Sequence, residues 1–188
     1  LCADLPDSLP ADATFRSLFA DGERMVRARH PNYVPDDPYR KGFLYVRPDC
    51  FGEAVGAMHN TGDWLQWRAT VPRDGQYAVW ALYAHGMKQL GREDMAGQTS
   101  LAIDDGEKVP LQNLPDTGDW RTFRWSKVAT LSLAAGERVL RWSNDKGGGY
   151  NLDALALTDD PEWQPVSWRL PPVAEGKHLV TIQCEEYE

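Results

Sequence analysis

Residues 63–72, DWLQWRATVP, alternate in period two: Trp64, Gln66, Arg68 and Thr70 fall on one face of an extended chain, and Leu65, Trp67, Ala69 and Val71 on the other. That is the pattern of a half-buried strand. After the turn PRDGQ comes QYAVWALYA, where Tyr77, Val79, Ala81 and Tyr83 oppose Ala78, Trp80, Leu82 and Ala84. Both faces are apolar, which predicts a strand in the middle of its sheet. The pair reads as a hairpin. TSLAIDDGEKVPLQNL repeats the device around Asp104, Asp105 and Gly106, because Asp-Gly tolerates the positive φ of a hairpin corner. WRTFRWSKVATLSLAAGERVLRWSND adds two longer strands around Ala135 and Gly136, and YNLDALALT supplies the last. No capped segment of helical length with a 3.6-residue period occurs in this zone. Many short strands between Gly and Pro turns predict an all-β, antiparallel sandwich or barrel.

The same pattern divides the chain. Residues 1–42 are rich in proline and charge, with one extended segment, ERMVRARH, followed by the irregular HPNYVPDDPYRKG, where Pro31, Pro35 and Pro38 cannot donate to a ladder. Residues 43–160 carry the strands. Residues 161–188 form a proline-rich connector, in which Trp163 and Trp168 are expected to pin the segment onto the sandwich, and a terminal strand, HLVTIQCEEYE. That final pattern stops unfinished, so further domains of the same polypeptide are expected.

Composition narrows the function. The 188 residues are 42% hydrophobic with a formal net charge of -8, enough for one sizeable core and repulsive to nucleic acid phosphates. No apolar run approaches the roughly 20 residues that span a bilayer. The start lacks a basic region followed by an apolar stretch, so any signal peptide is expected to be gone already. The three cysteines, Cys2, Cys50 and Cys184, have no CxxC spacing, leaving one disulfide plus one free thiol open.

A search for reaction chemistry finds no specific signal. GxSxG, HExxH, GxGxxG and P-loop patterns are absent, and no local context singles out two carboxylates from the 28 Asp and Glu residues for glycoside hydrolysis. DKGGGY is glycine-rich but precedes a strand rather than a helix, so it offers no helix N-terminus to a phosphate. What the loops do carry is aromatic rings beside amides and acids. Trp120 follows a glycine turn in PDTGDWR, and Tyr150 and Asn151 follow the glycines of GGGYN. Sugars present C–H faces that stack on such rings and hydroxyls that pair with such amides. Trp64, Trp67, Trp80, Trp125 and Trp142 lie within strands and are expected to pack in the core or on a sheet face.

The run GAMHNTGDWLQWRATVPRDGQYAVWALYAHG, followed in order by TSLAIDDGEKV, TGDWRTF, LAAGERVLRWS and GGYNLDALALT, resembles the carbohydrate-binding modules of families 6 and 35 over roughly residues 53 to 160. The resemblance implies a jelly-roll, galactose-binding-like β-sandwich that binds an oligo- or polysaccharide without catalysis. It maps the family's sugar-binding aromatic onto Trp120 and its asparagine onto Asn151. Where the family has a second aromatic before G-D-W, this chain has Ala57 and Met58, so Tyr150 or His59 is the candidate replacement. His85, in the loop after ALYA, is a further candidate contact.

The resemblance also raises a structural calcium held near an E-A-E motif, for which FGEAVGA is a poor match and QCEEYE a better one. The segment FRSLFADGERMVRARHPN resembles the opening of secreted right-handed β-helix proteins that act on polysaccharides, implying that the sandwich is inserted in, or belongs to, a glycoside hydrolase or polysaccharide lyase. The expectation is a noncatalytic sugar-binding module of a larger secreted or periplasmic bacterial protein, with no nucleic acid or membrane partner. A structural sandwich without a sugar site is the plain alternative. Arg121 and Lys146 beside the candidate site leave uronates open as ligands.

Overall fold

The computed structural model describes residues 19–20, 23–24, 44–46, 53–166 and 170–187. In chain order the strands are β1 (Phe19–Ala20), β2 (Glu23–Arg24), β3 (Leu44–Val46), β4 (Glu53–Met58), β5 (Trp64–Val71) and β6 (Gly75–Ala84). They continue with β7 (Thr99–Ile103), β8 (Val109–Pro110), β9 (Arg124–Leu133), β10 (Gly136–Asn144), β11 (Tyr150–Thr158) and β12 (Leu179–Gln183). Two short 3-10 turns, Met87–Leu90 and Cys184–Glu186, complete the elements. β1 and β2 pair with each other. The remainder of ERMVRARH, the loop after it, Cys2, Cys50 and Trp168 lie outside the described residues.

Two antiparallel sheets face each other. The larger runs β3-β4-β11-β6-β9 with β12 also on β11, and the smaller runs β5-β10-β7-β8. β6 is central, between β11 and β9, as its two apolar faces require. β4 and β12 share one edge of β11: β4 meets Tyr150 and Leu152, and β12 meets Ala154 to Thr158.

The expected β5–β6 hairpin does not form. Val71 pairs with Gly136 and Gly75 with Leu133, so the PRDG turn carries the chain from one sheet to the other. The physical reason is layer closure: β5 has one apolar face and buries it by crossing to the opposite layer, which a flat two-stranded ribbon cannot provide. Ala134 and Ala135 carry the chain back in the same way between β9 and β10. By contrast the β7–β8 pairing occurs as expected, with Asp104 at φ 54 in its corner.

The inner faces form one core. Leu65 and Trp67 of β5, Leu101 of β7 and Leu140 and Trp142 of β10 meet Tyr77, Val79, Ala81 and Tyr83 of β6, Val128 and Leu131 of β9, and Leu155 and Leu157 of β11. Burying each large apolar side chain contributes about 1.5–3 kcal/mol. Of the strand tryptophans, Trp67 and Trp142 are core, Trp80 and Trp125 are part-buried, and Trp64 stays 48% exposed on the small sheet's outer face, with the Arg141 guanidinium 4.5 Å from its ring centroid.

The connector covers the outer face of the large sheet. Trp163 is buried, meets Trp80 edge to face at 6.2 Å, and donates its Nε1–H to the Pro171 carbonyl at 2.8 Å. The expected pin is therefore in place. A polar clasp fixes the same segment: Asp159 accepts the Arg73 Nε–H at 2.7 Å and the His178 backbone N–H at 2.7 Å, and its other oxygen contact is with His178 Nδ1 at 3.0 Å. Burial opposes ionisation of Asp159, but His178 and Arg73 outweigh it and hold its carboxyl below the usual range.

Candidate functional site

Four loops gather at one end of the sandwich, and backbone hydrogen bonds tie them together. Gly62 N–H donates to Asn144 O at 2.8 Å, Gly148 N–H to His59 O at 3.3 Å, and Thr117 N–H to His85 O at 3.1 Å. Arg92 adds a side-chain tie, its Nη1 donating to Gly147 O at 2.9 Å. These bonds bring residues from four distant stretches of sequence to one rim.

Each turn has its own local cause. The tetrapeptide T-G-D-W occurs twice, at residues 61–64 and 117–120, with Gly62 at φ +96 and Gly118 at φ +98. In the first, Asp63 Oδ2 accepts the backbone N–H groups of His59 and Asn60 at 3.1 and 2.8 Å. In the second, Asp119 Oδ1 accepts those of Arg121 and Thr122 at 2.6 and 2.7 Å. Both aspartates therefore stabilise turns.

Trp120 is 37% exposed and lies against the backbone of Gly86 and Gly149. A Cβ on Gly149 would stand 2.8 Å from its Cη2 and Cζ3, and one on Gly86 would stand 3.3 Å from its Nε1. Both glycines thus clear space for an indole. The three glycines of residues 147–149 serve two purposes: Gly147 and Gly148 turn the chain at φ +72 and +109, while Gly149 makes room.

Asn151 sits at the same rim. Its Nδ2 donates to the Trp120 carbonyl at 2.6 Å, which fixes the platform's backbone and leaves Oδ1 and a second N–H outside that bond. His59 is exposed, and its Cβ lies 3.7 Å from the point where a Gly149 Cβ would be, so it borders the indole. Trp120, Asn151 and His59 are brought together.

Two expected contacts are not. Tyr150 is 3% exposed, and its hydroxyl accepts the Trp142 Nε1–H at 2.7 Å inside the core. Burial pushes its phenol pKa upward. Strand alternation is the cause: Tyr150 shares the inward face with Leu152, and Asn151 takes the outward one. A register shift between Leu152 and Ala154 then resets the phase, so Leu155 and Leu157 also point inward.

His85 is fully buried, with Nε2 2.8 Å from the Leu114 carbonyl and its ring stacked on Tyr83 at 5.6 Å. It continues the inward series of Tyr77, Val79, Ala81 and Tyr83, and it cannot touch a ligand. Next to it, the N–H groups of Lys88 and Gly118 hold the Asp116 carboxyl below the usual carboxylate range.

Sequence reasoning missed Gly86, Met87, Arg92 and Thr117. Alternation along β6 could have signalled the inward turn of His85, whereas only the folded loops show that Arg92 reaches Gly147. Among the described residues no group of three or more His, Cys, Asp or Glu side chains could hold a metal ion. Among the same residues no helix is long and apolar enough to cross a membrane.

No protein-family model and no curated protein matches the sequence. Solved structures do match. A family 35 carbohydrate-binding module from Clostridium thermocellum superposes with a TM-score of 0.53 at 22% identity, covering 66% of this chain and 96% of the module. A native structure of a family 35 module from the same organism gives 0.50 at 22% identity, covering 61% and 85%. An exo-β-1,3-galactanase from Phanerochaete chrysosporium, solved with β-1,3-galactotriose, gives 0.50 at 17% identity over 62% of this chain and 26% of that one. These likenesses establish the fold: this chain is built on an antiparallel β-sandwich similar to that of family 35 carbohydrate-binding modules.

Proposed function

We propose that this protein binds carbohydrate noncatalytically through the loop end around Trp120. The observation that carries this reading is the indole laid on Gly86 and Gly149 and 37% exposed, a platform fixed from beneath and open to the C–H face of a pyranose ring. Asn151 and His59 border it with groups that pair with sugar hydroxyls. The indole stacks and the amide and imidazole hydrogen bond, which is the chemistry of binding. The similar family 35 modules and the galactotriose in the galactanase structure support the same ligand class.

With one indole and few polar partners, affinity is expected on the order of micromolar to millimolar, because sugar hydroxyls are well hydrated and little area is buried. We further propose that the chain belongs to a larger secreted or periplasmic polysaccharide-degrading protein, a reading supported by the likeness of FRSLFADGERMVRARHPN to the opening of β-helix proteins. The test is a glycan array that includes β-1,3-galactotriose, followed by calorimetry on each hit for the wild type and Trp120→Ala, with and without calcium. Binding lost in the variant supports the reading; no glycan bound by the wild type overturns it in favour of a structural sandwich.

A further inference from the structure

The buried imidazole of His85 has a defined proton position. Nε2 lies 2.8 Å from the Leu114 carbonyl, which can only accept, so Nε2 carries the hydrogen. Nδ1 is then bare and accepts the Met87 backbone N–H at 3.3 Å. Nδ1 can accept the Met87 N–H only while the ring is neutral. A second partner waits at Nδ1: Asp116 Oδ2 is 3.6 Å away, held in place by the Lys88 N–H at 2.7 Å.

Three residues bonded to or adjoining His85 lead to Trp120. Gly86, the next residue, lies under the indole Nε1. Met87, whose N–H the ring accepts, receives the N–H of Gly149 on its Sδ at 3.4 Å, and Gly149 lies under the far edge of the indole. Thr117, three residues before Trp120, accepts the His85 N–H on Oγ1 at 2.9 Å and donates its own N–H to His85 O at 3.1 Å. Asn151 holds the Trp120 carbonyl from β11, and the contacts through Gly86, Met87 and Thr117 tie the other side of the platform to this ring.

We propose that His85 is a positioning residue that couples proton uptake to the seat of Trp120. A proton taken from solvent by Nδ1 turns an acceptor into a donor facing the Met87 N–H, and the ring exchanges that bond for the Asp116 carboxylate. Neutral imidazole holds Met87, and through it Gly149, under the indole; imidazolium releases that support. The charged and titratable groups around the ring are Asp116, Tyr83 stacked on it, Asp94, which accepts the Leu114 N–H at 3.0 Å, and Arg124, whose charge acts on Tyr83. Lys88 and Glu93 pair with each other in the exposed loop beyond. Asp116 is the nearest charge to Nδ1, at 3.6 Å. The platform is therefore set at higher pH and loosened at lower pH.

This inference rests on Trp120 being the binding platform, but its test uses no glycan, so the two can fail separately. Nuclear magnetic resonance of the full chain, with labelled histidine and tryptophan, would follow the His85 ring nitrogens and the Trp120 indole N–H between about pH 5 and pH 8, the range in which a histidine charge ordinarily changes. Trp120→Phe identifies the indole signal. The expected result is a neutral, Nε2-protonated His85 at the upper end and a Trp120 shift that follows His85 protonation with the same midpoint. In His85→Gln, whose amide can still donate to Leu114 but does not titrate, the Trp120 step is lost. A His85 that stays neutral throughout, a Trp120 signal that ignores its titration, or a step that persists in the variant overturns the proposal. If the variant fails to fold, the two wild-type curves decide alone.

Discussion

The indole of Trp120 lies on the backbone of Gly149: a Cβ there would stand 2.8 Å from two atoms of the six-membered ring, closer than real Cβ contacts come. One residue type at position 149 is compatible with the platform's geometry, and the relation is separable from overall stability because the ring is at the rim.

Gly149→Ala is accordingly expected to displace Trp120 and weaken binding of any glycan that Trp120→Ala abolishes by about tenfold or more, which corresponds to about 1.4 kcal/mol. Calorimetry on a glycan identified by the array reads the loss, and an unchanged affinity would show that the indole does not need this seat.

Tyr150→Phe separates core from site. It removes the acceptor of the Trp142 Nε1–H and leaves a buried donor unpaired, which costs about 1–3 kcal/mol. Urea denaturation is expected to show that loss while glycan affinity stays at the wild-type value. A Tyr150 that contacted sugar would give the opposite result.

His59→Ala is expected to behave in reverse. The side chain is exposed, so unfolding free energy should stay within about 0.5 kcal/mol of wild type, whereas glycan affinity falls several-fold if the imidazole borders the bound ring. Asp63 organises this turn through backbone N–H groups, which the substitution leaves intact.

Acid should loosen the connector before the sandwich. The Asp159 carboxyl is held below its ordinary range, against burial, by His178 and Arg73. A depressed carboxyl contributes stability that is present above its unfolded value and is lost as pH falls through the folded one, so the clasp weakens from about pH 4 downward. Hydrogen exchange of the β12 amides against pH reads this. Asp159→Asn is expected to raise exchange at neutral pH and to remove most of the acid dependence; equal acid dependence in both proteins would place its source elsewhere.

The sequence by itself determined the strands, since period two in DWLQWRATVP and QYAVWALYA reports which side chains an extended chain can bury together. It also determined Tyr150 and His85, although composition and loop position pointed elsewhere: each continues an inward series, Tyr150 with Leu152 and His85 with Tyr83. Strand parity is the physically stronger rule because the pleat fixes it, whereas a preference for aromatics at rims is only a tendency. The two T-G-D-W stretches show where local reading ends, for the same four residues place Trp64 on an open sheet face beside Arg141 and Trp120 on a glycine seat.

Only the tertiary structure decided the partners. Val71 joins Gly136 rather than Gly75, Arg92 reaches Gly147 across 55 residues, and Met87 supports Gly149 across 62. Local propensity sets φ and ψ over a few residues, but a turn such as PRDG is equally compatible with a hairpin and with a crossing between sheets. The choice follows from closing two apolar faces on each other, which is a property of the whole chain.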